Sequence, residues 1–473
     1  MSTTRSGLLA RAVTTLAAGA ALVLAPGLAT TASAADAPTS TSDRAGLAGA
    51  FIATTLIDGD HYDYPGGTYF DGGNTIDAIL ALDGAGVGRS TADAALAYLT
   101  ANLGGYTGTD YASTYAGPTA KSLLAVAAHG GNPHDVAGVD LVAQLQSTYG
   151  AAQPGRFSDL PATGCGYDPC DYSNTIGQSL AMIALTRAGA TLAPEATSFL
   201  LDQQCPDGGF RGELAAATCT SDPDATAFAA QALLAVGSDA AAAAALDHLA
   251  SLQAADGGVA GDGAPANANT TGVAVQAFLA GGRTAAATAG QAFIASLQYD
   301  CRAAAPLRWG ISFTAATRST STVGDSDLRA TPQAALALAG RSLLTVSSDG
   351  SGAALPAFTC PTVTPTSTPT PTPTSSTGPG SGSTSTSGSG TGSGATGSGS
   401  ARPPQTSTSS GSTSPLGAVA ADGGAGDPAT AGATADRLAQ TGSDVLWPVG
   451  LGLLLVVVGA LAVVVSRRRG AHS

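Results

Sequence analysis

From about Gly46 to Arg341, apolar residues recur in two alternating patterns. In one, polar residues mark a single face, as in Ala45 to Leu56, Thr91 to Leu103, Val136 to Tyr149, Glu195 to Gln204, Ala240 to Gln253 and Ala287 to Gln298. Apolar positions three and four apart predict amphipathic helices that face solvent on one side. In the other pattern the run is apolar all round: Asn74 to Leu82, Pro118 to Val126, Asn174 to Met182, Asp222 to Val236, Asn269 to Ala277 and Ala330 to Leu338. A helix without a polar face belongs between other helices. Six copies spaced about 45 to 60 residues apart make this a repeat protein. An open stack would leave an apolar end exposed unless capped, and neither end offers a polar capping repeat. Closing the pairs on themselves removes both ends. The fold class expected is all-α, an α6/α6 toroid of six outer and six inner helices.

The joints between helices repeat as well. Gln203-Gln204-Cys205-Pro206-Asp207-Gly208-Gly209-Phe210 and Gln253-Ala254-Ala255-Asp256-Gly257-Gly258-Val259 end outer helices, with Gly104-Gly105-Tyr106 and Gly155-Arg156-Phe157 as looser versions. Asp-Gly-Gly stops a helix and accepts positive φ, and the apolar residue that follows can turn back into the core. These turns, joined to Asp-x-x-x-Thr-Ala helices such as Asp222-Pro223-Asp224-Ala225-Thr226-Ala227, resemble the repeats of the terpenoid cyclase and protein prenyltransferase toroids. Vitamin B12 carriers and complement-type thioester domains share that toroid. The resemblance covers roughly residues 45 to 341 and implies the fold rather than any one activity.

Both ends of the chain read as targeting segments. Arg5 and Arg11, an apolar run from Ala12 to Ala29 and Ala32-Ser33-Ala34 fit a signal peptide over 1–34, cut between Ala34 and Ala35. The toroid ectodomain is assigned 35–360. Residues 361–437 are rich in Thr, Ser, Pro and Gly, cannot bury a core, and are expected to form a disordered stalk. Leu438, Ala439, Gln440, Thr441 and Gly442 precede an apolar run at 445–465 and then Arg467-Arg468-Arg469. About twenty apolar residues span a bilayer, and the arginines keep the tail cytoplasmic, so 443–473 reads as one transmembrane helix with a basic tail. Motif, span and basic tail in this order resemble an actinobacterial sortase signal. That resemblance implies a sortase partner, cleavage after Thr441 and covalent transfer of Thr441 to peptidoglycan, with the span holding the chain in the membrane before sorting.

Composition narrows the chemistry. The net charge is −14 and Lys121 is the only lysine, which disfavours nucleic-acid partners. Six cysteines in an exported chain read as disulfides, with fifteen pairings open. Local pairing would join Cys165 to Cys170, Cys205 to Cys219 and Cys301 to Cys360. Asp222 and Asp224 are the candidate catalytic pair, because the segment is similar to the Asp-x-Asp-Asp-Thr-Ala motif of class II terpene cyclases. The resemblance would make Asp224 the acid and Asp222 its helper, although Ala225 stands where that motif carries a third acid. The competing reading makes both aspartates helix caps. Aromatics are only 5% of the chain, too few for a well-lined carbocation pocket. His61, His129, His134 and His248 are scattered, so no metal is expected, and no cofactor is either. Gly164-Cys165-Gly166 is not followed by the thioester sequence. Aromatics before the inner helices, among them Tyr69, Tyr111, Tyr115, Tyr172 and Trp309, suggest a rim for an unidentified small molecule, glycan or protein. The sequence is therefore read as a wall-anchored surface protein whose head binds or presents a ligand without catalysis. The alternatives are a terpene-cyclase or prenyltransferase-like enzyme with Asp224 as general acid, and a structural spacer or adhesin.

Overall fold

The computed structural model describes residues 40–161, 163–164, 170–261, 264–357 and 360. The signal-cleavage residues Ala34 and Ala35, the stalk, the sorting motif and the span at 445–465 lie outside the described residues, as does Cys165. Among the described residues no helix is long and apolar enough to cross a membrane.

Among the described residues, the regular structure is almost all α-helix, joined by irregular turns. In order come α1 Thr41–Thr55, α2 Gly72–Ala85, α3 Arg89–Ala101, α4 Leu103–Thr107, α5 Ala116–His129, α6 Leu141–Ser147 and α7 Thr175–Arg187. Then follow α8 Pro194–Leu201, α9 Pro223–Ala235, α10 Asp239–Leu252, α11 Ala268–Ala280, α12 Thr284–Leu297 and α13 Asp325–Leu338. A two-residue antiparallel ladder, β1 Phe210–Arg211 on β2 Ser221–Asp222, leads into α9.

The six all-apolar runs are the inner helices α2, α5, α7, α9, α11 and α13, and their contacts close a cycle. α2 packs on α5, α5 on α7, α7 on α9, α9 on α11, α11 on α13, and α13 returns to α2. Outside them, α3 packs on α2, α6 on α5, α8 on α7, α10 on α9 and α12 on α11, while α1 lies against both α13 and α2. Alanine makes this possible. Ala78, Ala120, Ala181, Ala227, Ala229, Ala274 and Ala334 are fully buried, and their small side chains bring helices close while Leu, Ile and Phe fill the gaps.

Two hydrogen-bond devices recur and explain the repeated motif. The glutamine that ends an outer helix folds back over its glycine turn and reaches the next outer helix. Gln204 Nε2 donates to the Gly208 carbonyl at 2.9 Å and to the Ala241 carbonyl at 3.1 Å. Gln253 does the same to Gly257 and Ala286, at 2.9 and 3.0 Å. Gln298 donates to Trp309 at 3.0 Å and to Arg44 of α1 at 2.9 Å, which joins the last outer helix to the first. The turn needs glycine twice over: Gly208 and Gly257 hold φ of 90° and 91°, and a Cβ at either would run into the carbonyl of Ala244 or Ala289.

The second device is the inner-helix threonine. Thr226 Oγ1 accepts from the Phe210 N–H at 2.8 Å and donates to the Asp222 carbonyl at 2.6 Å. Thr75, Thr271 and Thr331 accept in the same way from Tyr62, Val259 and Ile311, each at 2.9 Å. In α7 Gln178 takes this place, with Oε1 accepting from Phe157 at 2.9 Å. The inner-helix threonine is thus a clip that fixes the apolar residue after the turn before it.

Some sequence expectations are corrected. Gly104-Gly105-Tyr106 is not a turn but part of α4, where the exposed Asp110 carboxylate comes close to Gly104. The outer helix expected from Val136 starts only at Leu141, because Ala137 and Gly138 hold positive φ and Asp140 is the cap. Asn74 and Asn269 lie inside their helices; the caps are Asp71, which accepts from the Asn74 N–H, and Asn267, which accepts from the Thr270 N–H. Asn74 has a different task. Pro332 has no N–H to offer the Leu328 carbonyl, and Asn74 Nδ2 donates to that oxygen across the ring at 3.5 Å.

Candidate functional site

The six inner helices share one register. Counting from the residue four before each clip, Asp71, Tyr115, Asn174, Asp222, Asn267 and Asp327 hold equivalent places at the helix starts. Residues six further on are Asp77, Lys121, Leu180, Phe228, Val273 and Gln333, and all six line one chamber inside the ring of inner helices. Leu80, Leu124, Gln276, Pro332 and Leu336 extend the wall, and Leu343 enters from the segment after α13. The chamber measures about 20 Å³, room for about one water.

One side of the chamber is charged. Lys121 Nζ lies 2.9 Å from Asp77 Oδ1, with both side chains about 15% exposed. Gln333 Nε2 donates to Asp77 Oδ2 at 3.2 Å and Asn269 Nδ2 to Gln333 Oε1 at 3.1 Å. The opposite wall is apolar, with Phe228 its one aromatic ring.

One turn nearer the helix starts, on the same face, come Gly73, Gly117, Ile176, Asp224, Asn269 and Arg329. Asp224 is 4% exposed and sits one turn above Phe228. The two candidate acids part company here. Asp222 makes the cap, its Oδ1 accepting from the Ala225 N–H at 2.7 Å, while Asp224 lies in the first turn of α9. Ala225 is fully buried and brings no third carboxylate. Arg329 binds Asp71 at 2.7 Å and Asp325 at 3.0 Å. Burial alone would lower its pKa, but these two carboxylates outweigh it and hold the guanidinium above its ordinary value.

Sequence reasoning missed a strongly perturbed acid. Asp159 is 2% exposed, and burial pushes its carboxyl up to about 7, even though the Ala116 and Tyr172 N–H groups donate to it at 2.8 and 3.1 Å. It caps α5 from 43 residues away, because Tyr115 supplies no cap bond. Nothing local marks it in the sequence. Asp327, buried and accepting from the Tyr299 hydroxyl at 2.9 Å, is likewise raised by burial.

The rim aromatics do not form one surface. Tyr69 and Tyr111 are exposed, Tyr172 is half-buried and Tyr115 is buried. Trp309 packs with Leu47 and Phe51 in a small separate core. Two histidines are buried in side-chain contacts: His129 bridges Asp83 and Asp93, each at 2.8 Å, and His61 stacks on Tyr98 at 3.9 Å. Among the described residues no group of His, Cys, Asp and Glu is arranged to hold a metal. Cys205 is bonded to Cys219 and Cys301 to Cys360.

No family model and no curated protein matches the chain. Among solved structures it is similar to a variant of the type II terpene cyclase MstE from Scytonema, in complex with geranylgeranyl dihydroxybenzoate. That match has 16% identity and a TM-score of 0.45, over 63% of this chain and 97% of the other. A protein from Actinoplanes matches at 19% identity and TM-score 0.46, over 63% and 99%. Haptocorrin in complex with Cbi matches at 13% and 0.41, over 65% and 68%. At these values the likeness is one of helical fold.

The expectation of a head that binds without catalysis is corrected at this point. The similar structures include terpene cyclases with substrate and with product in place.

Proposed function

We propose that the head is an α6/α6 toroid enzyme acting on an apolar, alkene-containing substrate, with Asp224 as general acid. The supporting observation is the division of labour at the start of α9: Asp222 serves the helix, and a second carboxyl, nine-tenths buried or more, stands on the chamber-facing register one turn above Phe228. The Asp224 O–H would add its proton to one alkene carbon, leaving a cation on the other. A second double bond of the substrate then closes on that cation, forming one C–C bond. Loss of a proton from the neighbouring carbon restores a neutral isomer and leaves the acid to be reprotonated. With Phe228 the one ring in the chamber wall to stabilise a cation, we assign a single cyclisation or double-bond shift rather than a long cascade. A substrate of even a few isoprene units needs a chamber of roughly 300 Å³ or more. The chamber therefore has to open before it can act. The test is turnover of short polyprenes by the full chain: Asp224→Asn should lose about 100-fold or more in rate with its fold intact. No turnover of any polyprene by the wild type would overturn the reading.

We further propose that this head is exported, carried on the 361–437 stalk, and joined to peptidoglycan through Thr441 by a sortase after a membrane stage held by 445–465. The ordered motif, span and arginines support this. Muramidase digestion of walls should release chain ending at Thr441 with a peptidoglycan fragment attached. In Thr441→Ala the chain should stay in the membrane fraction with its C-terminus intact; the same distribution for both would contradict the proposal.

A further inference from the structure

After α13 the chain crosses the C-terminal ends of the inner helices in a strap with no regular structure, 341–351. Leu343 projects into the chamber, and Val346 is fully buried. The strap is held mostly by its own backbone. The Leu343 N–H donates to Gln231 Oε1 at 3.0 Å, and the Ser348 N–H donates to the Ala128 carbonyl at 3.0 Å. Ser348 Oγ donates to the His129 carbonyl at 2.7 Å.

The strongest hold is also the oddest. Arg187, at the end of α7, donates to the carbonyls of Leu343 and Val346, both at 2.6 Å. Among the described residues no carboxylate lies within ion-pair distance of it. Burial lowers its pKa, as a cation facing neutral dipoles requires. A half-buried guanidinium bonded, among the described residues, to carbonyls of an irregular segment that also sends Leu343 into the chamber is a seat that an anion would fill better.

The strap is also built to move without leaving. Gly340 and Gly350 bound it with φ of 70° and 86°, and open space surrounds both. Beyond them it is tied down, by α13 on one side, and on the other by the Gly88 N–H bond to the Ala353 carbonyl and the Cys301–Cys360 disulfide.

We propose that strap 341–351 is a hinged plug of the chamber floor, and that the chamber admits an apolar molecule with an anionic head whose charge takes the strap's place on Arg187. This holds whatever chemistry the chamber performs, so it fails or stands apart from the enzyme reading.

Hydrogen exchange on the full chain tests the hinge, and anilinonaphthalene sulfonate, apolar with one sulfonate, tests the seat. In the wild type the Leu343, Val346 and Ser348 amides should exchange about tenfold or more faster than interior amides of α7 and α9. Ser348→Ala should speed strap exchange and raise dye binding severalfold while α9 protection stays unchanged. Arg187→Gln should also loosen the strap yet weaken dye binding. Strap and helix amides exchanging as one unit in the wild type would overturn the proposal, and that result needs no variant to fold. So would dye binding that Ser348→Ala does not raise or that Arg187→Gln does not weaken.

Discussion

At the scale of single residues, burial decides what each acid can do. Asp224 stands in the first turn of α9, where the helix dipole favours a carboxylate, but it is nearly cut off from water. Asp159 shows how far burial can go, its carboxyl pushed up to about 7 against two backbone donors. A raised carboxyl stabilises the fold in its protonated form. That contribution is complete below pH about 4 and is lost as pH rises through about 7. His129 acts in the same direction. Burial lowers its pKa, but Asp83 and Asp93 outweigh that and raise it, so its contribution also fades as pH rises above the ordinary histidine value. We predict that wild type loses stability relative to Asp159→Asn between pH 4 and 7, by up to about 1.4 kcal/mol per pH unit. Chemical denaturation across that range measures it; parallel stability curves would contradict the burial argument.

At the scale of elements, the repeat is a pair of reciprocal clips, and this was only partly legible in the sequence. Apolar periodicity marked all six inner helices, because a run such as Ala225 to Leu234 has no other place to go than between neighbours. The glycine turns were legible for a similar reason, since Asp-Gly-Gly ends a helix wherever it stands. What joins turn to helix was not legible. The Thr226 hydroxyl meets the Phe210 N–H across 16 residues of chain, and spacing alone does not say that they face each other. Thr226→Val keeps the shape but leaves the buried Phe210 N–H without its acceptor. It should cost roughly 1–3 kcal/mol, read as a shift in denaturation midpoint with unchanged slope. A cost near zero would mean that the clip is incidental. The start of α6 was set too early because the Ala137-Gly138 turn needs positive φ at an alanine, which sequence alone gives no reason to expect.

At the scale of the whole molecule, closing the cycle of inner helices determines where function can sit. Six residues in one register, far apart in the chain, meet in one chamber, and the register was hidden in the sequence because the residues differ: Asp77 and Lys121 are charged, Gln333 is polar, and Leu180, Phe228 and Val273 are apolar. The candidate acid was legible through its motif, whereas its separation from Asp222 was not, because two aspartates two residues apart look like one cap. The aromatic residues gathered before the inner helices in sequence scatter in space, Trp309 into its own small core and Tyr69 into solvent. Chamber, acid and plug together make an account in which the ring encloses its substrate and Asp224 starts the reaction.

The measurement that tests this most directly is product formation from short polyprenes by wild type, Asp224→Asn and Asp222→Asn, with helicity and unfolding midpoint followed in each. The account predicts that Asp224→Asn folds as the wild type does and makes no product above about 1% of its rate, while Asp222→Asn is less changed in rate than Asp224→Asn. Equal activity in wild type and Asp224→Asn, or no product from any of the three, would contradict it.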